Sequence, residues 1–175
     1  MEPLIALVVV TAILYGLGRA GVRPLRRWPV PLRGGLAAMF TLTGVAHFVG
    51  MRQELITYVP PMLPEPALLV TITGVLELAG AAGLLLRRTA PLAAGCLAAL
   101  LIVMLPANLY ATFAGIATDP LSQPIPRTML QVVFIAAALT VVAVERQARH
   151  AVEATPLLPL EQRPATPEPL ADRRR

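Results

Sequence analysis

Five side chains in this 175-residue sequence conflict chemically with the apolar runs that carry or adjoin them: His47, Glu77, Asn108, Arg127 and Gln131. Glu77 lies about ten residues into the stretch Ala67–Leu86, which puts it near the middle of a bilayer if that stretch crosses one. A bare carboxylate at that depth is costly, so it must be protonated, paired or facing a wet cavity. Such a group can take up and release a proton for a bound molecule, with His47, Asn108 and Gln131 as hydrogen-bonding partners. Glu77 and His47 are therefore the candidate catalytic pair. The positions three before and four after Glu77 are Gly74 and Ala81, small residues that admit a neighbouring helix. That spacing turns Glu77 toward the interior of a bundle.

The remaining polar residues gather at one height. His47 ends a second apolar stretch, Asn108 follows Pro106, and Arg127 and Gln131 are four residues apart on one helical face. Pro106 also frees the carbonyl of Ile102 from its helical bond. Together these groups predict a polar pocket that opens toward one side, with Asn108, Arg127 and Gln131 as binding residues. The loop Thr57–Pro66, stiffened by Pro60, Pro61, Pro64 and Pro66, is expected to cover its mouth, with Pro60 and Pro61 at the site. A plainer reading stands beside this one. Asn, Gln and His commonly tie membrane helices together, each bond contributing about 0.6 kcal/mol, and the proline loop is equally a rigid connector. Cys96, between Gly95 and Leu97, is read as a packing residue with an inert thiol. No phosphate-binding glycine loop, metal triad or nucleophile–base pair is present. Aromatic residues are 5% of the chain, which gives a haem or retinal pocket little support.

These residues need a membrane around them. Residues of the AVILMFWYC set make up 56% of the chain and charged residues 14%, against about 25% charged in a soluble domain. All fifteen basic Lys/Arg positions are arginine, for a net charge of +5. They form short clusters between apolar runs rather than the continuous basic face that nucleic-acid binding needs. Five apolar stretches stand out, near Pro3–Gly18, Gly34–Gly50, Ala67–Leu86, Ala90–Phe113 and Thr128–Val144. The second can lengthen into Met51–Tyr58. The expected fold is all-α, a polytopic transmembrane helical bundle. A single cysteine excludes an internal disulfide and a CxxC pair.

Orientation follows from the arginines. The first stretch has only Glu2 before it and Arg19, Arg23, Arg26 and Arg27 after it, the reverse of a signal peptide. With five crossings, thirteen arginines fall on one side and two, Arg52 and Arg127, on the other. The positive-inside rule then puts the N-terminus outside and the C-terminus in the cytoplasm. The expected organisation is a transmembrane helix over 1–19, an Arg-rich cytoplasmic loop over 20–33, a four-helix membrane domain over 34–144, and a disordered Pro/Arg-rich tail over 145–175 with a short helical start near Glu145–Val152.

The run Gly44-Val-Ala-His47-Phe48, the Val59-Pro-Pro-Met-Leu-Pro64 loop, Thr73-Gly-Val-Leu-Glu77-Leu-Ala-Gly80, Leu105-Pro-Ala-Asn108, and Arg127 followed by Gln131 occur in an order that resembles the DoxX-like family of small bacterial membrane proteins. The resemblance covers about Gly34–Val144. It implies a four-helix DoxX-like core in the bacterial inner membrane, with the first helix as an N-terminal addition. Members often carry proline two residues before the glutamine, where this chain has Met129. The namesake proteins are subunits of a thiosulfate:quinone oxidoreductase. The resemblance thus implies a membrane subunit of a redox complex, with no intrinsic cofactor, a quinone as candidate ligand, and electrons supplied by a soluble or membrane oxidoreductase partner. Thiol-relay chemistry needs paired cysteines and is beyond Cys96 alone. Two other readings stay open: a carrier for a small solute or lipid, and a non-catalytic scaffold that recruits a partner through its tail or arginine loop. Homo-oligomerisation is compatible with each.

Overall fold

Proline and glycine punctuate the chain. The computed structural model describes residues 2–116 and 124–153, with side chains for all of these except 124–127, 152 and 153. Its helices are α1 (Glu2–Arg19), α2 (Val30–Ala46), α3 (Arg52–Thr57), α4 (Pro66–Leu85), α5 (Ala90–Phe113) and α6 (Pro124–Glu153), with one turn of 3-10 helix at Arg23–Leu25. There is no strand among the described residues. α2, α4 and α5 each carry proline in the first two positions, where its missing N–H would be unpaired anyway. α1 stops at Gly21, φ +113°, where the N–H groups of Val22 and Gly21 return to the carbonyls of Leu17 (3.1 Å) and Gly18 (3.4 Å). That bond pair is a Schellman cap, and glycine supplies its left-handed residue.

Among the described residues, four helices are long and apolar enough to cross a membrane: α1, α4, α5 and the Thr128–Ala151 part of α6. α2 has 17 residues, the lower end of the spanning range of about 17–25. The expected lengthening of α2 through Met51–Tyr58 does not occur. The chain turns at Gly50, φ +81°, and Met51 N–H bonds the Val49 carbonyl at 3.0 Å, so α3 starts afresh. α6 starts at Pro124, before the expected Thr128, and runs unbroken to Glu153, taking in the expected helical start of the tail near Glu145–Val152. The rest of the expected tail, 154–175, lies outside the described residues.

Successive long helices pack antiparallel in chain order. Gly34 meets Leu14 of α1, Gly74 meets His47 at the end of α2, and Gly80 meets Leu97 of α5. Gln131 of α6 reaches Asn108 of α5, and α2 also touches α6. Leu36, Met39 and Phe40 of α2, Leu84 of α4, Leu97 of α5 and Val141 of α6 form the core. Large apolar side chains also cover the outside, among them Ile13, Ile72, Leu92, Val103 and Val132. Such a surface suits lipid rather than water.

α2 begins four residues earlier than the expected boundary at Gly34, which moves Arg33 out of the loop and into the helix. Arg33 is buried. Its Nε and Nη2 donate to the last carbonyls of α4, Leu84 (2.8 Å) and Leu85 (3.1 Å), and its Nη1 pairs with Glu145 of α6 at 3.2 Å. The same end of the bundle holds Arg19, Arg26 and Arg88, with the Arg149 guanidinium on the Arg88 carbonyl.

Candidate functional site

Glu77 occupies the middle of α4, about 17 Å along the helix from Pro66 at 1.5 Å per residue. It faces α2, as its small neighbours require: Gly74 and Ala81 are both buried. The approach is close. A Cβ on Gly74 would stand 2.5 Å from His47 Cβ, and one on Gly44 would stand 2.9 Å from Leu78 Cδ2 and 3.3 Å from Glu77 Cβ. Glycine at both positions brings the two backbones within reach of one hydroxyl.

That hydroxyl belongs to Thr43. Its Oγ1 donates to Glu77 Oε2 at 2.6 Å, while its backbone carbonyl accepts from His47 Nδ1 at 2.9 Å. A carbonyl only accepts, so the Nδ1 atom carries the proton of that bond. His47 Nδ1 lies 4.0 Å from Glu77 Oε2, an electrostatic contact rather than a second hydrogen bond. Glu77 is 3% exposed and His47 4%. The two candidate catalytic residues thus share a seam and are joined through Thr43.

Arg52 continues the line toward the end of the bundle. Its guanidinium donates to the His47 carbonyl (3.3 Å), the Ala67 carbonyl (3.4 Å) and Thr71 Oγ1 (3.0 Å). Thr71 is six residues before Glu77 on α4, about 9 Å along the axis. Arg52, His47, Thr43 and Glu77 therefore form a row of polar groups from the bundle end to its middle. Two of its members, the Glu77 carboxyl and the His47 imidazole, are groups that can bind and release a proton; the Thr43 hydroxyl holds the carboxyl, and Arg52 supplies a fixed positive charge. Sequence reasoning missed Thr43 and counted Arg52 only as a loop charge. The available signal was spacing, since Thr43 and His47 are one turn apart.

Asn108 and Gln131 meet on a different seam, between α5 and α6. Asn108 Nδ2 donates to Gln131 Oε1 at 3.1 Å, and Gln131 Nε2 donates to the Leu101 carbonyl at 2.5 Å. Gln131 therefore takes the carbonyl next to the one Pro106 was expected to free, because Ile102 lies on the exposed face and Leu101 packs against the core. The polar residues expected in one pocket resolve into two pairs on two seams. Pro60 is half-buried and Pro61 exposed, in a turn where Leu63 N–H bonds the Pro60 carbonyl at 3.0 Å. The Arg127 side chain lies outside the described residues. Cys96, expected to pack inside, is exposed on α5. Among the described residues no group of three or more His, Cys, Asp or Glu side chains could hold a metal ion.

Comparison with known proteins gives one family. The model of a domain of unknown function, DUF8561, matches residues 36–142, and the chain belongs to that family. The matched region starts inside α2 and ends inside α6, so it holds both polar seams and leaves out α1. No curated protein and no solved structure matches the chain.

Proposed function

We propose that this DUF8561 protein is a multi-pass subunit of the bacterial inner membrane that serves a quinone-linked redox complex, with Glu77 and His47 handling protons. The observation that carries the reading is the Thr43–Glu77–His47 cluster, an acid and an imidazole held 4.0 Å apart and buried between α2 and α4. Reducing a quinone to a quinol takes two electrons and two protons. The partner oxidoreductase supplies the electrons, and the Glu77 carboxyl and His47 imidazole are the groups that give up protons and are recharged from solvent. The DoxX-like order of motifs, with a four-helix core over 34–144 and α1 added in front, supports the redox setting. The crowding of arginines at the Arg33 end supports a cytoplasmic placement of that end, with the N-terminus outside.

Ligand-dependent thermal shift on detergent-purified protein tests this. A soluble ubiquinone or menaquinone analogue should raise the melting temperature of the wild type in a dose-dependent way, and Glu77→Gln should lose that response. Partner-dependent quinone reduction in membranes should fall with it. Unchanged binding and reduction in Glu77→Gln would overturn the role of Glu77.

A scaffold is the second reading, favoured by the Asn108–Gln131 and Arg33–Glu145 contacts, whose polar atoms tie helices together. It expects Glu77→Gln to lower the melting temperature with no ligand response in either protein.

A further inference from the structure

Two adjoining cavities flank α1, outside the seams described above. One is a groove of about 450 Å³ between α1 and the start of α2, walled by Leu7, Val8, Ala12 and Leu32 with the rings of Tyr15 and Trp28. Its single polar side chain besides those rings is Thr11. The other, about 510 Å³, is polar and is formed by Arg19, Arg26, Gly18 and Leu25. Tyr15 walls both. We infer that this composite site binds one anionic phospholipid of the surrounding leaflet, with an acyl chain in the groove and the phosphate between Arg19 and Arg26.

The dimensions match. From Leu7 to Tyr15 the groove follows eight residues of α1, about 12 Å, close to the half-thickness of a hydrocarbon core of about 30 Å. Tyr15, at the junction of groove and polar chamber, and Trp28, along the groove, are each about half exposed, as aromatic rings are that settle between hydrocarbon and headgroups. Gly18 builds the chamber. A Cβ there would stand 2.6 Å from the Leu25 carbonyl oxygen, so glycine lets the turn fold back and set Arg26 beside Arg19.

Charge decides between an anionic and a zwitterionic headgroup. The C-terminus of α1 contributes about −0.5 of an elementary charge. Residues 19–27 answer with Arg19, Arg23, Arg26 and Arg27, and the sequence has no acidic residue between Pro3 and Gln53. The cations prevail. Guanidinium groups also fork onto phosphate oxygens through paired N–H donors.

Native mass spectrometry of the full chain tests the site, using phosphatidylglycerol and phosphatidylcholine of matched chains as probes. The wild type should retain one phosphatidylglycerol and prefer it over phosphatidylcholine. Arg19→Gln/Arg26→Gln should cut that preference about thirtyfold, from the usual contribution of two arginines near a membrane surface. Ala12→Trp, at an exposed position that fills the groove, should lower retention while both arginines remain. Equal retention of the two lipids, or an undiminished preference in the double variant, would overturn the assignment. So would full competition by inorganic phosphate with no effect of Ala12→Trp, which would mean a bare anion site. A lipid-free dimer would equally overturn it by giving the groove to a second copy.

Discussion

Between α2 and α4 the helices meet through glycine, and a Cβ on Gly74 would overlap His47 at 2.5 Å. Between α5 and α6 the nearest side-chain atom that a Cβ on Gly95 would meet among the described residues is Val142 Cγ2, at an ordinary 3.9 Å. The contents of the seams differ in the same sense. The tight seam holds a carboxyl and an imidazole bridged by one threonine, whereas the looser one holds two amides whose donors and acceptors match. Amides change no charge, so the bonds of the second seam join α5 and α6 without a titratable group. A titratable pair adds a second possible state, and tight packing keeps lipid away from it.

Substitutions can break or sharpen this contrast. The largest effect is expected at the tight seam, where Gly74→Ala should cost about 1–3 kcal/mol by overpacking, read as a fall in melting temperature in detergent. A change under a few tenths would show that α2 and α4 are free to separate. Gln131→Leu removes both bonds of the amide pair and should cost about 1 kcal/mol. It should leave any quinone response intact; a lost response would join the two seams into one site. Thr43→Val should cost about 0.6 kcal/mol, the usual value of one membrane hydrogen bond, while Thr43→Ser should be near neutral. In a double-mutant cycle Thr43→Val should be non-additive with Glu77→Gln, and additivity would dissolve the bridge. Gly95→Ala is the smallest and has the opposite sign, a gain of about 0.5 kcal/mol from a less flexible chain. A loss there would mean the α5–α6 seam is as tight as its counterpart.

Helix extents in the middle of the chain were legible because length and apolarity decide them. The expected Ala67–Leu86 and Ala90–Phe113 are found as Pro66–Leu85 and Ala90–Phe113. The inward aim of Glu77 was legible too, from two small residues at helical spacing. Rotation elsewhere was not. When the surrounding solvent is as apolar as the core, the outer and inner faces of a helix carry the same residue types. Cys96 shows the result: beside Leu97, which is buried, it points outward. Thr43 escaped notice because threonine is unremarkable in an apolar helix until a partner 34 positions away is placed opposite it. Arg33 and Arg52 were read as loop charges because sequence alone does not show that a loop is four residues shorter or that a glycine ends a helix early.

The contact between Arg33 and Glu145 also bears on how the protein is made. The two residues are 112 positions apart, near opposite ends of the matched domain. At 5–20 residues per second, the ribosome reaches Glu145 about 6 to 22 s after Arg33. In that interval α4 arrives and offers Arg33 the Leu84 and Leu85 carbonyls, but no opposing charge. Neutralisation waits for the last helix. A chain truncated before α6 therefore carries Arg33 without its opposing charge, so the bundle end is electrically complete only once α6 has docked.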